Sequence, residues 1–439
     1  MSKPPALSHN LSAEHIAGLY RRVAWRLIPF LFACYICAYL DRVNVGFAKL
    51  RMAEDLAFSD TVYGLGAGIF FLGYFFFEVP SNLLLHRIGA RRTLARIMVL
   101  WGLISMAMAL VDDVTSFYVL RFLLGVAEAG FFPGVILYLT YWFPAQRRGH
   151  VTALFVTAVA ISSVIGAPLS GAIMETLNGY AGLAGWQWLF ILEGLPSVAM
   201  GVATLFYLDD GPQHARWLEA PERTYLVAAV EAEQAQASHH HSLDGLRLPA
   251  VWLLSGVYFA FVSGLYGLNF WLPTIIRELG YTDLLQIGLV TALPFGVASV
   301  VMVLVARSAD RRDERRWHVI IPALAGALGL FLSVFWADRP LLAIAALTMG
   351  TCGVLSAIPQ TWSIATALLG GGAAAAGIAV INSVGNLSGF AGPYAIGWLK
   401  EMTGSTAGGV LLIAGFQIVG ALLVLRATRR GWRSSPHET

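Results

Sequence analysis

Long apolar stretches alternate with short polar intervals along the whole chain. An α-helix needs about 20 apolar residues to cross a bilayer, and stretches of this length recur twelve times in the 439 residues. The pattern predicts an all-α membrane protein with twelve transmembrane helices in two six-helix bundles. The approximate limits of the crossings are 27–47, 64–84, 93–111, 116–140, 151–173, 188–208, 250–272, 285–306, 318–336, 341–363, 374–398 and 407–426.

The longest polar interval separates the crossings into six and six. Within it, Trp217 to Ala235 predicts a short surface helix that starts near Pro221. The run His239–His241 has no Cys or carboxylate at metal-ligand spacing, so it indicates a solvated linker and no metal site. The predicted divisions are a cytoplasmic N-tail 1–26, an N-terminal bundle 27–208, a cytoplasmic linker 209–249, a C-terminal bundle 250–426 and a cytoplasmic C-tail 427–439.

Composition and charge agree with this pattern. Hydrophobic residues make up 57% of the chain and charged residues 13%, whereas soluble domains carry about 25% charged residues. A net charge of +3 is too small to indicate a nucleic-acid partner. Most of the 29 Lys and Arg residues lie in the tails, the linker and alternate loops, so the positive-inside rule places both termini in the cytoplasm of a cell whose inner (plasma) membrane holds the protein.

The two halves repeat a basic turn at the same place. The loop after the second crossing contains Asn82, Arg87, Gly89 and Arg91, and the loop after the eighth contains Asp310-Arg311. We interpret both as cytoplasmic gating turns. Such a repeat favours two bundles related by an axis along the membrane normal, with a substrate site between them at the membrane midplane.

Charged residues also occur inside the predicted crossings. Arg121, Gly125 and Glu128 share one face of the fourth helix, and a charge at that depth costs about 3 to 10 kcal/mol unless water or a partner relieves it. The default interpretation is a transport or proton pathway. A buried Arg–Glu pair that only holds helices together is the alternative.

The first crossing places Asp41 and Arg42 at about the depth of Arg121. Tyr39 and Arg42 follow one helical face, and Asp41 lies beside Arg42. We expect Asp41 and Glu128 to exchange Arg121 as a partner, so that protonating either carboxylate releases the arginine; alternatively, Asp41 is a helix-end residue bonded to loop backbone. The guanidinium fork of an arginine suits a planar anion, and Tyr39 and Tyr74 can add hydroxyl donors or ring faces.

The second half offers neutral polar residues in its crossings. They are candidates for substrate contacts, although an asparagine pair at i, i+4 can equally bridge neighbouring helices. The candidates are Asn269, Thr361, Trp362, Asn382 and Asn386.

Several motifs resemble the major facilitator superfamily, and specifically its anion:cation symporter family. They are Tyr39 to Asn44, Gly73-Tyr74 with Glu78-Val-Pro80, Arg87 to Arg92, and Arg121 to Glu128 followed by Gly130. The resemblance spans nearly the whole chain. It implies uptake of organic anions such as tartrate, sugar acids or aromatic carboxylates, with protons as the coupling ion and no other cofactor.

The same resemblance implies roles for individual residues. Asp41 and Glu128 would carry protons, Arg42 would bind the substrate carboxylate, and Arg121 would couple the two events. Tyr39, Tyr74, Thr361, Trp362 and Asn382 would line the substrate cavity.

The prediction is therefore a proton:organic-anion symporter that works by alternating access, with a small organic acid, protons and the lipid bilayer as its partners and a monomer as its state. A proton-independent exchanger or facilitator of the same anions would share every cavity residue. A drug exporter fits the arginines less well, and the polar loops contain no motif typical of an enzyme.

Overall fold

The computed structural model describes residues 12–237, 248–369 and 373–431, and the His239–His241 run lies outside them. In the first half, the described chain forms nine α-helices joined by short turns. They are α1 (Ala13–Val43), α2 (Val45–Asp55), α3 (Asp60–Ile88), α4 (Ala90–Ala107), α5 (Val114–Glu128), α6 (Phe131–Thr140), α7 (Ala145–Val156), α8 (Ala158–Thr176) and α9 (Gly185–Tyr207).

Eight more helices follow, the first of them in the linker. They are α10 (Ala220–Ala237), α11 (Pro249–Glu278), α12 (Leu284–Arg312), α13 (Trp317–Phe335), α14 (Pro340–Leu368), α15 (Ala373–Asn386), α16 (Ser388–Thr403) and α17 (Ala407–Gly431). The linker helix predicted from Trp217 onward thus starts at Ala220.

The helices confirm the fold class. Eleven helical segments in the described part of the chain are long and apolar enough to cross a membrane. The twelfth crossing, predicted over 374–398, is α15 followed by α16, and the break at Leu387 leaves each piece too short to qualify alone. A second crossing is broken at Gly130, whose φ of 88° is a left-handed conformation that glycine adopts without strain.

The two halves repeat one packing scheme. In the first half α4 packs on α9, α3 on α5 and α1 on α8; in the second half α13 packs on α17, α12 on α14 and α11 on α15 and α16. Each pair in one half has its counterpart six crossings later. The chain therefore forms two bundles of the same topology.

Successive crossings alternate in direction, so the bundle has two distinct ends. We call the end that carries Ala13, Tyr207 and Gly431 the terminal face, and the other end the opposite face. At the terminal face, α10 docks on the start of α1, where Glu222 pairs with His15 and Arg22. This contact fixes the start of the linker against the N-terminal bundle.

Two seams join the halves, one between α3 and α16 and one between α8 and α12. Both bring backbone against backbone in the half of the membrane nearest the opposite face. A Cβ on Gly397 would lie 2.3 Å from Asp60 O, and one on Gly288 would lie 2.4 Å from Ala167 O. Only glycine fits at these two positions, because a Cβ there would overlap the facing backbone oxygen.

Ion pairs close the same end of the molecule. Lys400 of the second half donates to Asp60 of the first at 2.7 Å. Glu401 accepts from the Ser59 hydroxyl at 2.8 Å, and Arg277 donates to Leu50 O at 2.7 Å. Among the described residues, the hydrogen bonds and ion pairs between the two halves lie in this region or at the central site. The two halves are thus closed together at the opposite face.

Candidate functional site

The centre of the molecule contains an ion pair between two N-terminal crossings. Arg42 stands at the end of α1, two residues before the short break at Asn44, and Glu128 is the last residue of α5. The Arg42 Nε donates to Glu128 Oε1 at 3.1 Å, and the Nη2 donates to the same oxygen. Both side chains are almost fully buried, at 9% and 2% exposure. The pair is held where a single charge would be costly.

Aromatic rings surround the Arg42 guanidinium. Its Cζ lies 5.8 Å from the ring centre of Tyr39, 5.5 Å from Phe70 and 5.6 Å from Tyr74. These distances allow cation–π attraction, which strengthens where water is excluded. Tyr39 and Tyr74, predicted to line a substrate cavity, therefore border the arginine predicted to bind substrate.

The second half reaches this centre through α11. The Tyr266 hydroxyl accepts a 3.4 Å hydrogen bond from Arg42 Nη1, and Asn269 Nδ2 donates to the Tyr39 hydroxyl at 2.8 Å. Both contacts join the two bundles. The ion pair consequently lies at the interface between the halves, where a substrate could touch both.

Asp41 is held apart from this pair. Its carboxylate accepts hydrogen bonds from Trp101 Nε1 at 3.0 Å and from the Ser105 hydroxyl at 2.7 Å, both on α4, and from the Ser197 hydroxyl of α9. Asp41 thus lies in the last turn of α1, but its three donors are side chains of α4 and α9 and not loop backbone, so the predicted alternative does not describe it.

The structure does not show the predicted sharing of Arg121. Arg121 Nε donates to Gly66 O at 3.1 Å and Nη2 donates to Ala67 O at 3.3 Å, while Nη1 is buried without a partner. The predicted depth of Arg42 was wrong because the first crossing runs on through α2 to Asp55. This extension moves Arg42 inward to the level of Glu128, two helical turns from Arg121.

The neutral candidates of the second half fall into two groups. Thr361 is 1% exposed, and its hydroxyl donates to Ala357 O of its own helix at 2.9 Å. Trp362 packs against Tyr258 with ring centres 4.7 Å apart. Asn382 and Asn386 are half-buried on α15. Thr361 is thus bonded within its own helix, whereas Trp362 packs on a ring of α11.

The predicted gating turns lie at the terminal face. Gly89 separates α3 from α4 with a φ of 90°, and a Cβ there would lie 2.5 Å from Asp210 Oδ1. The same oxygen accepts from Arg91 N at 2.9 Å. This contact ties the first turn to the segment after α9.

The remaining turn residues are bonded locally or exposed. Asn82 Nδ2 donates to Glu78 O at 3.0 Å, and Asp310 pairs with Arg315 at 2.5 Å. Arg87 and Arg311 are exposed. In this conformation the two turns are each bonded within their own half.

One buried carboxylate was missed by the sequence reasoning. Glu193 of α9 is 2% exposed and accepts from the Ser170 hydroxyl at 2.8 Å. The signal was available, because Glu193 is an acidic residue inside the crossing predicted over 188–208.

Two helical bundles with charged residues buried at their interface define a membrane transporter. A family model for the Major Facilitator Superfamily matches residues 31–393, and the chain belongs to that family. A protein of Agrobacterium vitis that is provisionally named a tartrate transporter is 51% identical over 411 residues, covering 93% of this chain and 94% of that protein.

Two further comparisons extend the similarity. The inner membrane transport protein RhmT of Escherichia coli (strain K12) is 39% identical over 422 residues, which cover 95% of this chain and 98% of that protein. A crystal structure of a bacterial homolog to the human lysosomal transporter Spinster superposes with a TM-score of 0.78, covering 95% of this chain and 99% of that one at 15% identity. At that identity the superposition establishes the fold alone.

Proposed function

We propose that the protein is a proton-coupled symporter that takes up a small organic anion, with tartrate as the first candidate, and that its terminal face lies in the cytoplasm. The Arg42–Glu128 pair at the interface of the bundles is the observation that carries this proposal. The similarity to a protein provisionally named a tartrate transporter supports the substrate class.

Arg42 serves as the substrate-binding residue because its partner can be exchanged. Its two donors converge on one oxygen of Glu128, whereas a free carboxylate can accept both in the stronger bidentate geometry. Breaking a buried pair without a replacement leaves an uncompensated charge. Substrate and Glu128 therefore compete for the same guanidinium.

Proton coupling follows from that competition. When Glu128 takes a proton it loses its charge, and Arg42 is released to hold the incoming anion. When the anion leaves, Glu128 loses the proton and the ion pair re-forms. Asp41 is the second proton carrier, because it is a buried carboxylate whose place between α1, α4 and α9 ties its charge to the packing of the N-terminal bundle; its three donors hold the ionised form once the proton has left.

The closed opposite face indicates the direction in which this conformation releases substrate. With both seams and the Lys400–Asp60 pair in place, exit lies toward the terminal face. Rocking the bundles apart at the seams would expose Arg42 to the other side. Two protons with a dianion such as tartrate make the cycle electroneutral, whereas a monoanion moves net charge worth about 2.3 kcal/mol per 100 mV.

The test is uptake into proteoliposomes, with a pH-sensitive dye following the external proton concentration. Tartrate, galactonate, phthalate and hydroxyphenylacetate are added outside in separate runs. External alkalinisation with one acid, lost in Arg42→Ala and Glu128→Gln and kept in the exposed-site control Arg51→Ala, supports the proposal. Labelled-acid uptake without any pH change identifies an exchanger or facilitator, and proton-driven uptake by folded Glu128→Gln contradicts the mechanism.

A further inference from the structure

Glu193 stands one helical turn from a residue that bonds Asp41. Ser197, four positions later on α9, donates to Asp41, so Glu193 and Asp41 lie beside the same helix face. One carboxyl oxygen of Glu193 accepts from Ser170, and Oε2 is buried without a partner. Asn44, at the break between α1 and α2, lies near this carboxyl, and both of its side-chain polar atoms are also buried without a partner.

The described residues that pack around Glu193 provide no cation. From α1 it is approached by Asp41, an acid, while Arg42 is bonded to Glu128. On α4, Gly102 and Met106 lie against the adjacent Gly194, and both are uncharged.

The other two helices add no free positive charge. From α8 the neighbour is the Ser170 hydroxyl. On α2, Lys49 is paired with Asp60, and Asp55 accepts from Trp186, two turns away along α9.

An ionised Glu193 would therefore be a buried anion beside a second acid, with only two neutral donors, the Ser170 hydroxyl and the Asn44 amide, near enough to offset its lost hydration. That loss exceeds what neutral donors return. A protonated carboxyl removes the difficulty, because its O–H is a donor and the unpaired Asn44 Oδ1 is an acceptor. These surroundings therefore suit a carboxylic acid better than a carboxylate.

A small cavity adjoins this group and leads to the other half of the molecule. Its volume is about 20 Å³, and its lining includes Asn44 and Ser170 from the first half with Asn269 and Thr291 from the second. That is room for one water molecule among several polar partners. The cavity lies against the seam between α8 and α12, so movement of the seam changes its access to solvent.

We propose that Glu193 is a proton-binding site of the N-terminal bundle, occupied in this conformation and emptied through the Asn44 cavity when the seam between α8 and α12 moves. In that step the carboxylic acid becomes a carboxylate and its proton passes to water, with no other bond made or broken. The part of Glu193 in the transport cycle rests on the proposed symport; its protonation does not.

Infrared difference spectroscopy of the purified protein tests the protonation directly. At neutral pH we expect one protonated-carboxyl stretching band to disappear in Glu193→Gln and to persist in Glu231→Gln, an exposed acid of α10. Ser170→Ala, which keeps the acid but removes its donor, should shift that band without deleting it. A spectrum of folded Glu193→Gln that keeps every carboxyl band overturns the proposal.

Proton-to-substrate ratios measured in proteoliposomes test the role in transport. The Glu193 proton would be a third beside those of Asp41 and Glu128, so that symport of a dianion would move one net positive charge. Glu193→Gln should then move one proton fewer per substrate than wild type and Glu231→Gln. An unchanged ratio overturns the participation of Glu193 in the cycle. If the wild type itself shows no proton movement, the proposed symport fails, and the infrared result still decides whether Glu193 holds a proton.

Discussion

The two bundles share a topology but differ in what they bury. Among the described residues, the first half buries six charged side chains within or beside its crossings, and the buried polar residues of the second half are all neutral. The charged set is Asp41, Arg42, Lys49, Arg121, Glu128 and Glu193. The second half instead offers amides, hydroxyls and aromatic rings, including Asn269, Gln360 and Trp362.

The difference shows that the repeated fold leaves chemistry free to diverge. Packing requires only that each helix bury an apolar face, so charges are a local addition to one copy of the scheme. Placing them all in one bundle keeps acids and arginines within reach of each other. Under the proposed mechanism, the first half would exchange charge and protons, and the second would recognise the shape of the substrate.

The largest effect is expected for a change in the charged first half, Arg121→Lys. This substitution keeps the positive charge but removes the planar guanidinium with its several N–H donors. An ammonium cannot donate to Gly66 O and Ala67 O in the same arrangement. Because hydrogen bonds from a charged group contribute about 1.5 to 3 kcal/mol, we expect uptake to fall by about tenfold to a hundredfold. Initial uptake rates measure this, with Arg339→Lys, exposed in the second half, as the control. Equal rates in the two variants would contradict a role for the fork.

A second test acts on the contact between the halves. In Gly288→Leu the new side chain would strike Ala167 O, and overpacking costs about 1 to 3 kcal/mol, enough to shift the population of closed molecules about tenfold. We expect slower uptake and faster maleimide labelling of a Thr291→Cys reporter from the opposite face. Gly415→Leu, where a Cβ meets nothing within 4 Å, is the control. Unchanged labelling would mean that the seam does not hold that face closed.

A third substitution separates recognition from coupling. Trp362→Leu removes the ring that packs on Tyr258, and aromatic pairs contribute about 0.5 to 1.5 kcal/mol beyond their burial. The KM ratio between an aromatic and an aliphatic acid should change about threefold to tenfold, with the proton-to-substrate ratio unaltered. A changed proton ratio would show that the second half also takes part in coupling.

The smallest expected effect lies outside the membrane, at the linker. Burial disfavours ionised Glu222, but hydrogen bonds from Glu219 N, His15 and Arg22 outweigh it and hold the pKa of this carboxyl below its ordinary value. A lowered folded-state pKa means that the contact stabilises the docked linker above the unfolded carboxyl pKa of about 4.3. That stabilisation is lost as the pH falls through the lower folded-state value.

Hydrogen exchange of the α10 amides measures this contribution. Near neutral pH, Glu222→Gln should exchange about twofold to fivefold faster than wild type, because the exposed partners Arg22 and His15 leave the ion pair partly screened by solvent. The two should converge once the pH falls below the folded-state pKa. Glu231→Gln is the control on the same helix. A difference that persists unchanged in acid would mean that the charge of Glu222 is not its cause.

Hydrophobic pattern was enough to predict the crossings, because a span of about 20 apolar residues is a demand of the bilayer itself. It was also enough to identify Arg42, Arg121 and Glu128, since charges in such spans are conspicuous. It could not assign their partners. Polar residues in α2 obscure the end of the first crossing. An error of two helical turns in that end places Arg121 beside Glu128, where the structure has Arg42.

Glu193 illustrates a different limit. Its neighbours Ser170 and Asn44 come from α8 and the end of α1, so no local pattern brings them together. Thr361, predicted to contact substrate as a polar residue of its crossing and from the family resemblance, donates its hydroxyl to Ala357 O in this conformation. Contacts between helices distant in the chain decide such side chains.

The glycine seams have a consequence for the speed of the conformational cycle. Where backbone meets backbone, as at Gly397 and Gly288, there are few side-chain rotamers to rearrange when the surfaces part or rejoin. Opening the closed end must also break its ion pairs, such as the one between Lys400 and Asp60. Dissolved salt screens partly exposed charges, so a higher salt concentration should speed the opening of this end.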